Sequence, residues 1–154
     1  MVKNMEETLA TAGIELPPAV TPFGAYVPAV RAGNLLFLSG MLPTVGHQPK
    51  FVGRVGHELT VEEGCNAAYA ATLNVLAVAR QHLGSLDRVT RVVRLGVYIA
   101  IAADGLDLVK IADAASQLLH DIFGEGKISA RLVFGVASLP LGVPVELEAI
   151  FEVA

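Results

Sequence analysis

Tryptophan is absent from this 154-residue chain, aromatic residues make up only 6%, and there is one cysteine, Cys65. A single thiol can form neither an internal disulfide nor a thiolate metal site, which fits a reducing compartment. Charge is scarce too, at 17%, and 11 Lys and Arg against 15 Asp and Glu leave a formal charge of −4 with no basic run. The chain thus lacks the footprint of a phosphate-backbone binder, and nucleic acid is disfavoured as a partner. The longest apolar region, 67–79, is interrupted by Tyr69, Thr72 and Asn74 and closed by Arg80. It falls short of the roughly 18 residues that span a bilayer. The opening MVKNMEETLA has two adjacent glutamates and no apolar core of a signal peptide. A soluble, cytoplasmic protein without a membrane partner is the expectation.

What the chain has in excess is aliphatic residues. Hydrophobic types reach 53%, mostly Ala, Val and Leu, which excludes intrinsic disorder. One domain of this length buries roughly 70% of its unfolded surface and needs no metal or disulfide to fold. A surplus of apolar side chains with so few charges predicts self-association.

Periodicity and punctuation give the element order. Residues 3–12 suit a short amphipathic helix, and 1–21 reads as an N-terminal extension before a domain at 22–154. Tyr26–Arg31 and Leu35–Gly40 are extended runs around Ala32-Gly33-Asn34, a hairpin pattern. The Gly-, Pro- and His-rich stretch 41–59 reads as a long loop with a short strand at Phe51–Val55. Thr60-Val61-Glu62-Glu63 is a capping box opening a helix to about Leu83, stopped by Gly84. Strands are expected at Val89–Ala100, Ala130–Val136 and Val145–Val153, with a second helix at Gly105–Phe123. The order β-β-α-β-α-β-β predicts an α+β domain with two helices on one face of a mixed sheet. The other face is left for a partner subunit.

Chemistry concentrates between Arg131 and Glu148. Arg131 stands at the start of an apolar strand, and a guanidinium there needs an anion. That anion is either Glu146 or Glu148, as a structural ion pair, or a ligand carboxylate gripped by the planar fork. In the last strand Glu146, Glu148, Ile150 and Glu152 alternate with Val145, Leu147, Ala149, Phe151 and Val153, so the acidic set faces away from the helices. One of those carboxylates could hold a water for proton transfer.

The remaining candidates are weaker. His47 and His57 share the long loop with Glu58, but their spacing matches no compact metal motif, and surface histidines are the simpler reading. Cys65 lies too far into its helix to feel the N-terminus and reads as a small core residue. His82 fits a helix-end dipole contact and His120 a helix surface. Gly53-Arg54-Val55-Gly56 lacks the Lys-Ser/Thr of a phosphate loop. Ser39 has no His/Asp constellation around it.

The run Arg131…Leu139-Pro140…Val145-Glu146-Leu147-Glu148-Ala149 resembles the C-terminal signature of the Rid (YjgF-like) imine/enamine deaminases, also called the L-PSP endoribonuclease family. Gly24-Ala25-Tyr26-Val27, Ala32-Gly33-Asn34 and Leu38-Ser39-Gly40 are similar to its N-terminal elements, so the resemblance covers about Pro22 to Val153. It implies a chorismate-mutase-like fold, a homotrimer with clefts between subunits, and hydrolysis of 2-imino or enamino acids to 2-keto acids and ammonia. Arg131 would bind the substrate carboxylate and Glu146 position a water, with Tyr26, Ser39, Gly40 and Val133 lining the cleft and no metal or cofactor required. This chain departs from the pattern at Val133, where many members have cysteine, and at Met41, where the motif has a polar residue. The long loop and the absence of a matching asparagine near Asp113 are further departures. Two other readings stand beside it: a non-catalytic carboxylate-binding or chaperone-like protein using the same clefts, and an endoribonuclease, which the acidic charge disfavours.

Overall fold

A computed structural model describes residues 4–154. Helix α1 (Met5–Thr11) lies within the predicted 3–12, whose first residue is outside the described residues. Asn4 caps it, its side chain accepting from the Glu6 N–H at 2.8 Å. Met5 and Leu9 enter the same core as the rest of the chain, and Ile14, Leu16, Ala19 and Val20 pack on it in an irregular strap.

The predicted hairpin forms from β1 (Ala29–Ala32) and β2 (Leu35–Leu38), shorter than expected at both outer ends. Ala32 pairs with Leu35, so the loop is Gly33-Asn34, and Gly33 at φ 61° supplies the positive angle a two-residue II′ turn requires. The expected strand at Phe51–Val55 is absent. Gly53 and Gly56, at φ 129° and 92°, break the extended run, leaving only Val55 to bridge Ile101. A small hairpin, β3 (Thr44–Val45) with β4 (Gln48–Pro49), occurs instead. This long loop is well anchored. The buried Asn74 amide donates to the carbonyls of Leu42 at 2.8 Å and Thr44 at 3.0 Å. The Arg54 N–H donates to Glu58 at 2.9 Å, and backbone donors hold the Glu58 carboxyl down to about 2.

Helix α2 (Val61–Leu83) has the predicted limits, with both halves of the Thr60–Glu63 capping box formed and Gly84 as a left-handed stop. Helix α3 (Leu108–Phe123) starts three residues later than predicted, because Gly105 is at φ 75° and Asp107 is the cap, accepting from the Lys110 N–H at 3.0 Å.

The sheet is completed by β5 (Val89–Ala100), β6 (Ala130–Val136) and β7 (Val145–Val153), in the order β1-β2-β7-β5-β6. β5 and β6 run parallel, as their α3 crossover demands, and the other pairs are antiparallel. The alternation of β7 is kept: Val145, Leu147, Ala149, Phe151 and Val153 are buried, and the intervening residues are half-buried. Phe151 meets Phe123 of α3 at 6.0 Å between ring centres. The α+β architecture with both long helices over one face is therefore as expected. Val30, Phe37, Ile150, Tyr98 and Phe134 share the opposite face through the register of the strands.

Candidate functional site

Beyond β2 the chain makes one further contact with β7. Met41 and Leu147 exchange N–H···O bonds of 2.8 and 2.9 Å, which sets Gly40 beside Glu146. A Cβ on residue 40 would lie 3.0 Å from both Cδ and Oε1 of Glu146, so only glycine lets the carboxyl rest against this backbone. Ser39 ties the preceding segment down: its N–H donates to the Pro28 carbonyl at 2.9 Å and its Oγ to that of Val27 at 2.6 Å. Tyr26 curls back in a tight turn, its N–H donating to the Gly24 carbonyl at 2.9 Å and its Oη accepting from the Phe23 N–H at 3.0 Å. Phe23 in turn stacks on His47, with ring centres 4.0 Å apart, and Thr21 Oγ1 lies 3.0 Å from His47 Nδ1.

Across from these residues, the short 3-10 turn Pro140–Gly142 brings in Pro140 and Leu141, the latter at φ 59°. The result is a cavity of about 490 Å³. Tyr26, Ser39, Gly40 and Glu146 supply its polar side; Phe23, Leu42, Pro140 and Leu141 supply its apolar walls. Among the described residues no lysine or arginine lines it. Burial pushes the Glu146 carboxyl above its usual 4.5, and no hydrogen bond or ion pair among the described residues engages that carboxyl. A half-buried carboxylate with free oxygens, in a cavity it shares with Tyr26 and Ser39, can hold a water, accept its proton, or meet a cationic nitrogen.

Arg131 and Val133 are not in this cavity. Arg131 is in register with Leu95 and Val133 with Val97, positions whose side chains face the helices, whereas Glu146 is in register with Tyr98 on the other face. The expected pairing of Arg131 with Glu146 or Glu148 therefore does not occur within one chain. Arg131 Nη1 donates instead to Asp113 Oδ1 at 2.7 Å and Ser116 Oγ at 3.1 Å, both on α3. Glu148 faces Arg94 at 3.3 Å and accepts from Tyr98 Oη at 3.2 Å. Val133 is partly buried against the core, and Met41 is buried in it.

Sequence reasoning did not single out Phe23, Leu42 or Leu141 as lining residues, or Asp113 as the partner of Arg131. Pro140-Leu141-Gly142 carried a turn signal that placed a left-handed residue there. His57 pairs with Glu58 at 3.2 Å, away from the stacked His47. Among the described residues no three His, Cys, Asp or Glu side chains converge to hold a metal ion. Cys65 is half-buried with Sγ 3.6 Å from the Lys110 carbonyl, and burial pushes its thiol up.

The fold has known relatives. The family described as "YjgF/chorismate mutase-like, putative endoribonuclease" matches residues 6–151. The chain is 41% identical to Protein TCP17 of Trypanosoma cruzi over 142 residues, covering 91% of this chain and 88% of that one. A Shewanella oneidensis crystal structure bearing the same endoribonuclease description superposes with a TM-score of 0.93 at 31% identity, covering 98% of this chain and all of that one. A protein of unknown function from Agrobacterium tumefaciens gives 0.89 at 33%, covering 97% and 92%. On the motifs, the fold and these likenesses, the chain belongs to the YjgF/RidA chorismate-mutase-like family.

Proposed function

We propose that this protein hydrolyses reactive 2-imino acids, or their enamine tautomers, to 2-keto acids and ammonia. The observation that carries this reading is Glu146: an unengaged, half-buried carboxylate beside Tyr26 and Ser39 in a cavity without a cation. A protonated imine brings the positive charge that such a site lacks, and its carbon is already electrophilic. Glu146 orients a water and takes its proton as oxygen adds to the imine carbon. The proton then passes to nitrogen, Glu146 takes the hydroxyl proton as the C–N bond breaks and the C=O bond forms, and that proton leaves with ammonia as ammonium alongside the keto acid. No redox step is needed.

The substrate carboxylate needs an anion site, and Arg131 is the candidate, though it faces the wrong side of its own sheet. β6 is the outer strand of that sheet, so Arg131 of a neighbouring subunit can approach the cavity from outside. A homotrimer with clefts between subunits supplies that arrangement. It also covers the open sheet face, where Val30, Phe37 and Phe134 are exposed and the buried Arg94 Nε lacks a well-aligned hydrogen bond. Arg131→Ala should abolish ammonia release from 2-iminopropionate and 2-iminobutanoate while the trimer survives. If the parent protein leaves those imines to decay at the spontaneous rate, the deaminase reading fails.

A second reading, a carboxylate-binding protein without turnover, is favoured by one feature. Ser39 Oγ already donates its proton to the Val27 carbonyl at 2.6 Å, which leaves it unable to protonate a departing nitrogen. Keto-acid binding without ammonia release would establish it.

A further inference from the structure

We propose that the Glu146 cavity selects imino and keto acids whose side chain is branched or aromatic, with Leu141 and Phe23 forming the wall that receives it. This rests on the imine-hydrolase reading of the same cavity and adds the substrate class. Three independent observations support it.

The first is size against chemistry. About 490 Å³ lies within the range of roughly 300–1,000 Å³ that accommodates sizeable organic ligands. 2-Iminopropionate would leave most of that space to water. Within one chain Tyr26, Ser39 and Glu146 are the polar side chains of the lining, while Phe23, Leu42, Pro140 and Leu141 offer a larger substrate side chain apolar contact.

The second is Leu141. It holds φ 59° with its side chain substantially exposed. A leucine in the left-handed region is disfavoured, and such strain persists only where the surroundings enforce it. Here the Gly53 N–H donates to the Gly142 carbonyl at 2.8 Å, and the Gly142 N–H closes the turn onto Leu139 at 3.2 Å. The long loop therefore has a use at the site: it braces the turn that presents Leu141 to the cavity.

The third is Phe23, whose exposed ring is not free to swing. It is stacked on His47, with its own backbone N–H bound to Tyr26 Oη. A braced turn carrying Leu141 and a stacked Phe23 ring thus stand at the cavity, a preorganised surface for a bulky apolar side chain.

The test uses the full chain with imines generated in situ from alanine, leucine and phenylalanine by an amino acid oxidase, with ammonia release as readout. Binding of pyruvate, 4-methyl-2-oxopentanoate and phenylpyruvate is measured in parallel by calorimetry. kcat/KM for the leucine- and phenylalanine-derived imines should exceed that for the alanine-derived one by about tenfold or more, the scale a hydrophobic pocket gives per added group. Leu141→Gly removes the wall while accepting the left-handed backbone, so folding is spared. It should erase most of that preference, lowering kcat/KM for the leucine- and phenylalanine-derived imines several-fold more than for the alanine-derived one. Turnover without size preference, or a preference that survives Leu141→Gly, overturns the inference but leaves the hydrolase reading standing. No turnover of any imine, with the two larger keto acids binding more tightly in a Leu141-dependent way, sinks the hydrolase reading and keeps the selective pocket. No turnover of any imine together with failure of all three keto acids to bind overturns both.

Discussion

At the scale of single residues, Glu146 is held by packing rather than by partners. Its carboxyl rests on the bare backbone of Gly40, and the fit depends on the missing Cβ. Gly40→Ala should push the carboxyl away from that backbone and lower kcat about 10–100-fold, since sub-ångström placement matters for a positioned water. Circular dichroism should show the fold unchanged. Glu146→Gln should cost about 10²–10⁴ in turnover, the range for losing a general base. Because burial raises this pKa in the fold, the folded chain holds the proton more tightly than the unfolded one. The associated stability is complete below about 4.5 and is lost as pH rises through the raised value. Glu146→Gln should thus melt no lower than the parent at pH 7, with any advantage shrinking on acidification; a lower Tm at pH 7 would contradict this. Parent activity should fall as pH drops through the same pKa, because the base becomes protonated.

At the scale of elements, local chemistry and observed boundaries agree best where the cap itself is written in the chain. Thr60 and Glu63 close both bonds of their box, and α2 starts where that box says it should. Thr60→Ala should lower stability by about 1 kcal/mol in urea unfolding. The start of α3 was harder to see: Gly105 looked like the beginning of the apolar pattern, but its positive φ hands the cap to Asp107. Phe51–Val55 has strand-forming residues, yet glycines on both sides of Val55 adopt angles no ladder accepts. In both cases a glycine's backbone sign, which composition does not reveal, decided the outcome.

At the scale of the whole molecule, the apolar surplus divides between two faces of one sheet. One is filled by α2 and α3; the other keeps Val30, Phe37 and Phe134 at 53%, 40% and 54% exposure. Phe134, on the edge strand β6, has its ring centre 6.2 Å from that of Tyr98, whose hydroxyl donates to Glu148 of the Arg94–Glu148 pair. On the proposed trimer, Phe134→Asp should give a monomer in sedimentation and remove turnover along with assembly, since the clefts would be lost. A Phe134→Asp protein that remains trimeric would show that this face is not the subunit contact.

The linear pattern alone was enough to specify the α+β element order, the capped α2 and the alternating β7, whereas Tyr26, Ser39, Gly40 and Glu146 were drawn together as a group only through the family's motifs. Each of these rests on spacing along one segment, or on a motif in which neighbours in sequence stay neighbours in space. What only the tertiary structure decided was the company each residue keeps across strands. The register of β6 against β5 put Arg131 on the helix face with Asp113, opposite Glu146, and a one-residue slip would have reversed it. The apolar walls likewise come from segments far apart in the chain, Phe23 from the strap and Leu141 from a turn braced by the long loop. Scarcity of charge and excess of aliphatic residues foretold a face needing cover. Which residues form that face was settled by how the strands pair.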